Sequence, residues 1–359
     1  MKSLGYRIEP VNTNEIKKIY LELTNRCNLH CKICYRNNWD FRSFDMSDEL
    51  LSKILGEIQS VEGLESIVIG GIGEPTVHPR FEEVLERLKD YPIHVTTNGT
   101  NLTEERMTKM VKRVQTVTVS VDGMEDSFQK IRGEKLSLII ENLQRLQQIK
   151  KDMKSELPKL DIQFVISKDN DDDLLAVIDL TKSLNADCLI VSNLIPQTEE
   201  TKNSIMYTLY PTENTKGNLN QIRYYAWKQN VNIYIPAMAL KTERRCDFIE
   251  DVTTFITAYG DIVPCYRLSQ NSQEFVFGRK KMVKKYRFGN LKDKGLLEIW
   301  NSDEYRKFRY TIYNNHYPSC PDCDLVEGCE LPKKADEDCY GNGTSCSDCL
   351  WSRNFVICP

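Results

Sequence analysis

What this chain lacks sets its class. No run of 18 apolar residues occurs in its 359 residues, so no stretch reads as a membrane-spanning helix. The opening Met1-Lys2-Ser3-Leu4-Gly5 runs into a polar segment rather than the apolar core of an export signal. A basic excess is missing too: the formal net charge is -4, whereas a nucleic-acid surface needs clustered Lys and Arg. These absences predict a cytoplasmic protein whose partners include no nucleic acid and no membrane. What is present suits a soluble globular enzyme, with 40% hydrophobic and 28% charged residues. The length allows one large domain and a smaller one. Cysteine is the exception. Thirteen occur, and a reducing cytosol keeps thiols free, so metal binding accounts for them better than disulfides.

Cys27, Cys31 and Cys34 form a C-x3-C-x2-C array directly after a short apolar strand. Zinc wants a fourth ligand about two to four residues away. His30 is the only candidate, and it sits between two ligands with poor reach. A 4Fe-4S cubane takes one thiolate per iron, so three cysteines leave one iron open to a small molecule. The array resembles that of the radical S-adenosylmethionine (radical SAM) enzymes. In that family the open iron takes the amino and carboxylate groups of SAM. One departure is Ile33, which stands where the family usually has an aromatic residue.

The first half of the chain alternates strand and helix. Strands are predicted at 16–24, 66–69, 93–97, 116–121, 161–166 and 188–191. Helices are predicted at 46–61 (capped by Ser47), 80–90, 103–113, 136–150 and 172–184. Such alternation makes right-handed βαβ units and a parallel sheet. Six strands fall short of a closed eight-stranded barrel. The resemblance implies a partial (β/α)6 TIM-like barrel, with catalytic groups in the loops at the carboxyl ends of the strands. Unusual residues do fall there: Gly70-Gly71-Ile72-Gly73-Glu74-Pro75, Thr97-Asn98-Gly99-Thr100, Ser120-Val121-Asp122-Gly123 with Ile131-Arg132-Gly133, and Ser192-Asn193. Singly each reads equally well as a tight turn. The first is similar to the family's G-G-E-P motif with one residue inserted. The resemblance implies that Gly71, Gly73, Glu74, Asn98, Ser120, Asp122, Arg132 and Asn193 contact SAM. A loop is predicted at 197–217, then a helix (219–230) and a strand (231–235), with a domain boundary near Pro236.

Nine of the thirteen cysteines lie from Cys246 onward. Cys246, Gly260 and Cys265 fall in a predicted hairpin (253–259, 262–268). A helix is predicted at 295–309, and then come Cys320, Cys323 and Cys329. This C-x13-G-x4-C, gap, C-x2-C-x5-C order, with the segment FGNLKDKGLLEIWNSDEYRKFR, resembles the SPASM extension of radical SAM enzymes. The chain thus divides into a barrel (1–236) and a small cysteine-rich iron-sulfur (SPASM) domain (237–359). The resemblance implies two auxiliary 4Fe-4S clusters beside the first, three in all. The family's next cysteine is replaced by Lys333. By analogy Cys246, Cys265 and Cys339 serve one auxiliary cluster. Cys320, Cys323, Cys329 and one of Cys346, Cys349 and Cys358, with Cys349 favoured, serve the other. A zinc site of Cys320, Cys323, Cys346 and Cys349 is the alternative, and Cys188 reads as a core thiol. The tail from Cys339 to Pro359 resembles the SPASM subgroup that matures tungsten-containing aldehyde oxidoreductases.

The resemblance implies reductive cleavage of SAM, a 5′-deoxyadenosyl radical and oxidation of a peptide or protein side chain, with a low-potential flavodoxin or ferredoxin as electron donor. Rival readings are a small-molecule or cofactor-precursor substrate and a non-catalytic cluster or metal carrier. Tyr266 stands where sulfatase-type relatives carry an Asp base, which argues against formylglycine formation. Asp261, Tyr266 and Glu274 are expected to be solvated loop residues, and the basic 279–285 run a solvated surface.

Overall fold

The computed structural model describes residues 2, 3, 6–39, 42–334 and 336–358; Met1, Leu4 and Gly5 of the opening segment lie outside them. The predicted strands form as β1 (Lys18–Leu21), β2 (Ser66–Ile69), β3 (Ile93–Thr97), β4 (Val114–Ser120), β5 (Lys159–Ile166) and β6 (Cys188–Asn193). Each pairs in parallel with the next. The crossovers carry α1 (Asp48–Ile58), α2 (Phe81–Arg87), α3 (Glu104–Arg113), α4 (Glu125–Arg132), α5 (Leu136–Asp152) and α6 (Leu174–Ser183). In α1 the Ser47 hydroxyl accepts from Leu50 N, and Leu50, Leu51, Ile54, Leu55 and Ile58 are buried. Helix α5 buries Leu136, Ile139, Leu143, Leu146 and Ile149 along one stripe. Burying each such aliphatic side chain is worth about 1.5–3 kcal/mol, which fixes these helices against the sheet.

Several expectations change. Helix α4 was not foreseen; Gly133, at φ 75°, ends it and turns the chain into α5. The segment expected to be loop to residue 217 is already helical from Glu213, as α7 (Glu213–Gln229), followed by β7 (Ile233–Tyr234). The helix expected over 295–309 breaks in two, Leu296–Trp300 and Asp303–Tyr313. There the Ser302 hydroxyl caps Tyr305 N while Asn301 is drawn onto the Thr13 backbone, because Ser and Asn side chains favour caps over helix interiors.

The hairpin around Gly260 forms as β8 (Thr253–Ile256) and β9 (Asp261–Val263). Strand β8 lies parallel to β1, register Thr253↔Lys18 to Ile256↔Leu21. One ten-stranded sheet therefore runs through both halves of the chain. Its order is Gly289–Asn290, β9, β8, β1, β2, β3, β4, β5, β6, β7. A separate hairpin pairs β10 (Ser272–Val276) with β11 (Arg279–Val283).

Candidate active site

Strand β1 delivers the chain to the cysteine loop. Asn25 fixes the loop's start: its Oδ1 accepts from Phe44 N at 2.7 Å and its Nδ2 donates to Arg42 O at 2.9 Å. Cys27, Cys31 and Cys34 are each half-buried. Leu29 N and Arg36 N donate to the sulfurs of Cys27 and Cys34, and Asn98 Nδ2 reaches Cys27 Sγ at 3.7 Å. Burial pushes the Cys31 thiol up to about 11, against the pull of the Arg132 guanidinium. A bound metal deprotonates a coordinating thiol outright, so such thiols ionise on binding.

The loops after β2, β3 and β4 close around this trio. A Cβ on Gly73 would lie 2.2 Å from Thr24 O and 2.6 Å from Arg26 O. Only glycine lets the Gly70–Pro75 loop press against the cysteine loop. A Cβ on Gly71, at φ 133°, would lie 2.8 Å from Glu22 Cγ. Glu74 is buried; its Oε1 accepts from Thr76 N, Thr76 Oγ1 and Thr97 Oγ1, and its Oε2 from Asn98 N. Ser120 ends β4 half-buried. Asp122 is fully buried, with Oδ2 on Arg132 Nη2 (2.6 Å) and Nε (2.7 Å) and Oδ1 on Val165 N (2.8 Å). Both of its oxygens are engaged, so Asp122 holds Arg132. Asn193, at the end of β6, donates to Ala237 O and leaves Oδ1 buried without a protein partner. Seven of the eight expected SAM residues thus stand at, or in the loops following, the carboxyl ends of β2, β3, β4 and β6, where β1 delivers the trio, and the eighth, Arg132, is the last residue of α4.

The C-terminal cysteines group differently from the expectation. Cys246, Cys265, Cys346 and Cys349 share one small cavity with Phe248, Ile249, Pro264 and Phe308. Cys339, expected with Cys246 and Cys265, is instead exposed and within electrostatic reach of Cys320. Cys349, expected with Cys320, lies among the first set. The fold exchanges the two because Cys346-Ser-Asp-Cys349 is a turn, Cys349 N on Cys346 O, that carries both thiols inward together. Cys323 is exposed, while Cys329 and Cys358 are half-buried, the latter beside Trp351, whose Nε1 donates to its sulfur at 3.0 Å. Among the described residues no three His, Cys, Asp or Glu side chains converge as a single ion requires. Cubane thiolates each bind a different iron, a wider spacing that suits these groups.

Three expected solvated residues are buried. Tyr266 packs edge-on against Tyr20 and Phe248. Asp261 pairs with Lys285 Nζ (2.5 Å) and Arg287 Nη1 (2.7 Å). Glu274 is 1% exposed and bonded to Arg267. The basic 279–285 run is solvated only in part: Lys280 and Lys284 are exposed, whereas Lys281 is buried on Asp348. Glu22 was passed over: burial pushes its carboxyl up to about 7, although Ile72 N and Ala258 N donate to it. An acid inside the apolar run Ile19-Tyr20-Leu21-Glu22-Leu23 was the available clue.

Residues 21–181 match the radical SAM superfamily, and residues 246–324 match SPASM, an iron-sulfur cluster-binding domain. A Pyrococcus furiosus protein, the tungsten-containing aldehyde ferredoxin oxidoreductase cofactor-modifying protein, is 37% identical over 349 residues, 96% of this chain and 97% of that one. This chain is a radical SAM enzyme with a SPASM domain. Among solved structures the radical SAM enzyme's fold matches native anSMEcpe with bound AdoMet (TM-score 0.62, 19% identity, 94% of each chain). It also matches Streptococcus suis SuiB bound to precursor peptide SuiA (TM-score 0.61, 17% identity, 89% of this chain and 72% of that one).

Proposed function

We propose that this radical SAM enzyme oxidises a peptide or protein side chain in the maturation of a tungsten-containing oxidoreductase. It uses three 4Fe-4S clusters and takes electrons from a low-potential flavodoxin or ferredoxin. The observation behind this reading is the pairing of a three-cysteine loop at the strand ends with a separate tetrad that lines one small cavity, Cys246, Cys265, Cys346 and Cys349, able to hold an internal electron acceptor. When bound, SAM and the trio's cluster supply a 5′-deoxyadenosyl radical that removes hydrogen from an unactivated C–H bond. The chain's own groups orient and enclose. Glu74 and Asn98 hold the loops against Cys27, Gly71 and Gly73 allow their approach, and Arg132, fixed by Asp122, places a cation beside the trio for the SAM carboxylate. Cys320, Cys323, Cys329 and Cys339 serve the third cluster.

The full-length relative's name supports the tungsten connection, and the precursor peptide in the SuiB structure supports a polypeptide substrate. The words "cofactor-modifying" favour a second reading, in which the organic part of the tungsten cofactor is modified. The test incubates anaerobically reconstituted enzyme with dithionite, SAM and either the tungsten oxidoreductase polypeptide or its isolated cofactor. Formation of 5′-deoxyadenosine with loss of two hydrogens from the polypeptide is expected. A mass change confined to the cofactor selects the second reading. Absence of 5′-deoxyadenosine overturns both and leaves a metal carrier.

A further inference from the structure

The C-terminal half of the chain holds a buried charge network that the reaction described so far does not use. Arg267, Glu274, Lys281 and Asp348 are each 1–2% exposed. Arg267 Nη2 and Nε bond Glu274 Oε1 at 2.5 and 3.0 Å, Arg267 Nη2 lies 3.3 Å from Asp348 Oδ1, and Lys281 Nζ bonds Asp348 Oδ1 at 2.6 Å. Tyr35 Oη donates to Glu274 Oε2 at 3.3 Å, and Arg267 Nη1 donates to Ser345 O at 3.4 Å. In sequence, each point of attachment touches a cysteine segment: Tyr35 follows Cys34, Arg267 is two beyond Cys265, Ser345 precedes Cys346 and Asp348 precedes Cys349. Arg267 is also within electrostatic reach of Cys265, Cys346 and Cys349. Burying two ion pairs brings little net stability against apolar packing of the same volume, so packing alone gives no reason for them. A fixed cation beside a cluster favours its reduced, more negative state, because cluster potentials follow local charge and outer-shell bonds.

We propose that Arg267 is a positioning residue that raises the reduction potential of the cluster held by Cys246, Cys265, Cys346 and Cys349, and that Glu274 opposes it and ties it through Tyr35 to the loop of the three-cysteine site. The inference rests on the reading of that tetrad as a cluster site.

The experiment uses the full chain carrying Cys27→Ala, Cys31→Ala and Cys34→Ala, so that only C-terminal clusters report. Each is titrated potentiometrically, one electron at a time from dithionite, and followed by EPR. Arg267→Met lowers the tetrad cluster's midpoint by a tenfold or greater change in its one-electron equilibrium, about 59 mV. Glu274→Gln raises it, and Arg267→Lys stays close to the parent. The cluster on Cys320, Cys323, Cys329 and Cys339 does not move and serves as internal reference. Shifts of the same sign in Arg267→Met and Glu274→Gln, or no shift in either, with iron content intact, overturn the role of Arg267 alone. Absence of the tetrad signal in the parent overturns the cluster assignment and this inference together. Should Arg267→Met not fold, the isosteric Glu274→Gln decides by its sign.

Discussion

The two cysteine sites are built in opposite ways. Cys27, Cys31 and Cys34 come from eight consecutive residues, stand half-buried, and owe their geometry to backbone contacts with neighbouring loops. The tetrad draws on three segments spread over more than 100 residues, from Cys246 to Cys349. Burial drives the thiols of Cys246, Cys265 and Cys346 upward, Cys265 to about 12. A local site with an open iron suits a reagent that must come and go. A non-local, enclosed one suits a group that exchanges only electrons.

This contrast can be broken at its strongest point first. Replacing Cys27, Cys31 and Cys34 by Ala abolishes 5′-deoxyadenosine formation and removes about four iron per chain. Cys346→Ala instead loses a similar share of iron and the oxidised product but retains SAM cleavage; loss of cleavage would show that the sites are not separable. Arg132→Met leaves Asp122 buried without its cation, which destabilises by about 3–5 kcal/mol, read as a lowered denaturant midpoint. Gly73→Ala forces the two loops of the first site apart at a cost of about 1–3 kcal/mol; it weakens SAM binding by titration while the tetrad's EPR signal persists. An unchanged SAM affinity would remove the role given to that close approach.

The smallest effect separates Glu22 from either cluster. Burial raises its folded-state carboxyl to about 7 from the ordinary 4.5, so the folded protein holds a proton that the unfolded chain has released. Its contribution to stability is present below about pH 4.5 and is lost as pH rises to about 7. Glu22→Gln flattens the fall in unfolding free energy over that interval, and an unchanged slope refutes the assignment.

The parallel units were legible because β-branched runs and helical stripes alternate with a period that tolerates only one topology. The trio was legible because its spacing is local. What was hidden depended on distant partners. The C-x2-C spacing put Cys346 and Cys349 together, but nothing in the sequence says that the pair meets Cys246 and Cys265, or that Glu274 meets Arg267 and Tyr35 in the interior. Asp261 and Tyr266 likewise read as loop residues until β8 and β9 joined the main sheet and buried them. The break at Asn301-Ser302 was a capping signal outweighed by an apolar stripe.

The parallel pairing of β8 with β1 has a consequence for biosynthesis. Strand β1 leaves the ribosome first of the ten, yet one of its edges stays unpaired until Ile256 has emerged, some 235 residues later by position. An exposed strand edge invites pairing with other chains, so the nascent first half is an aggregation hazard that only the second half relieves. A chain cut near Pro236 therefore keeps that edge open for want of Thr253–Ile256.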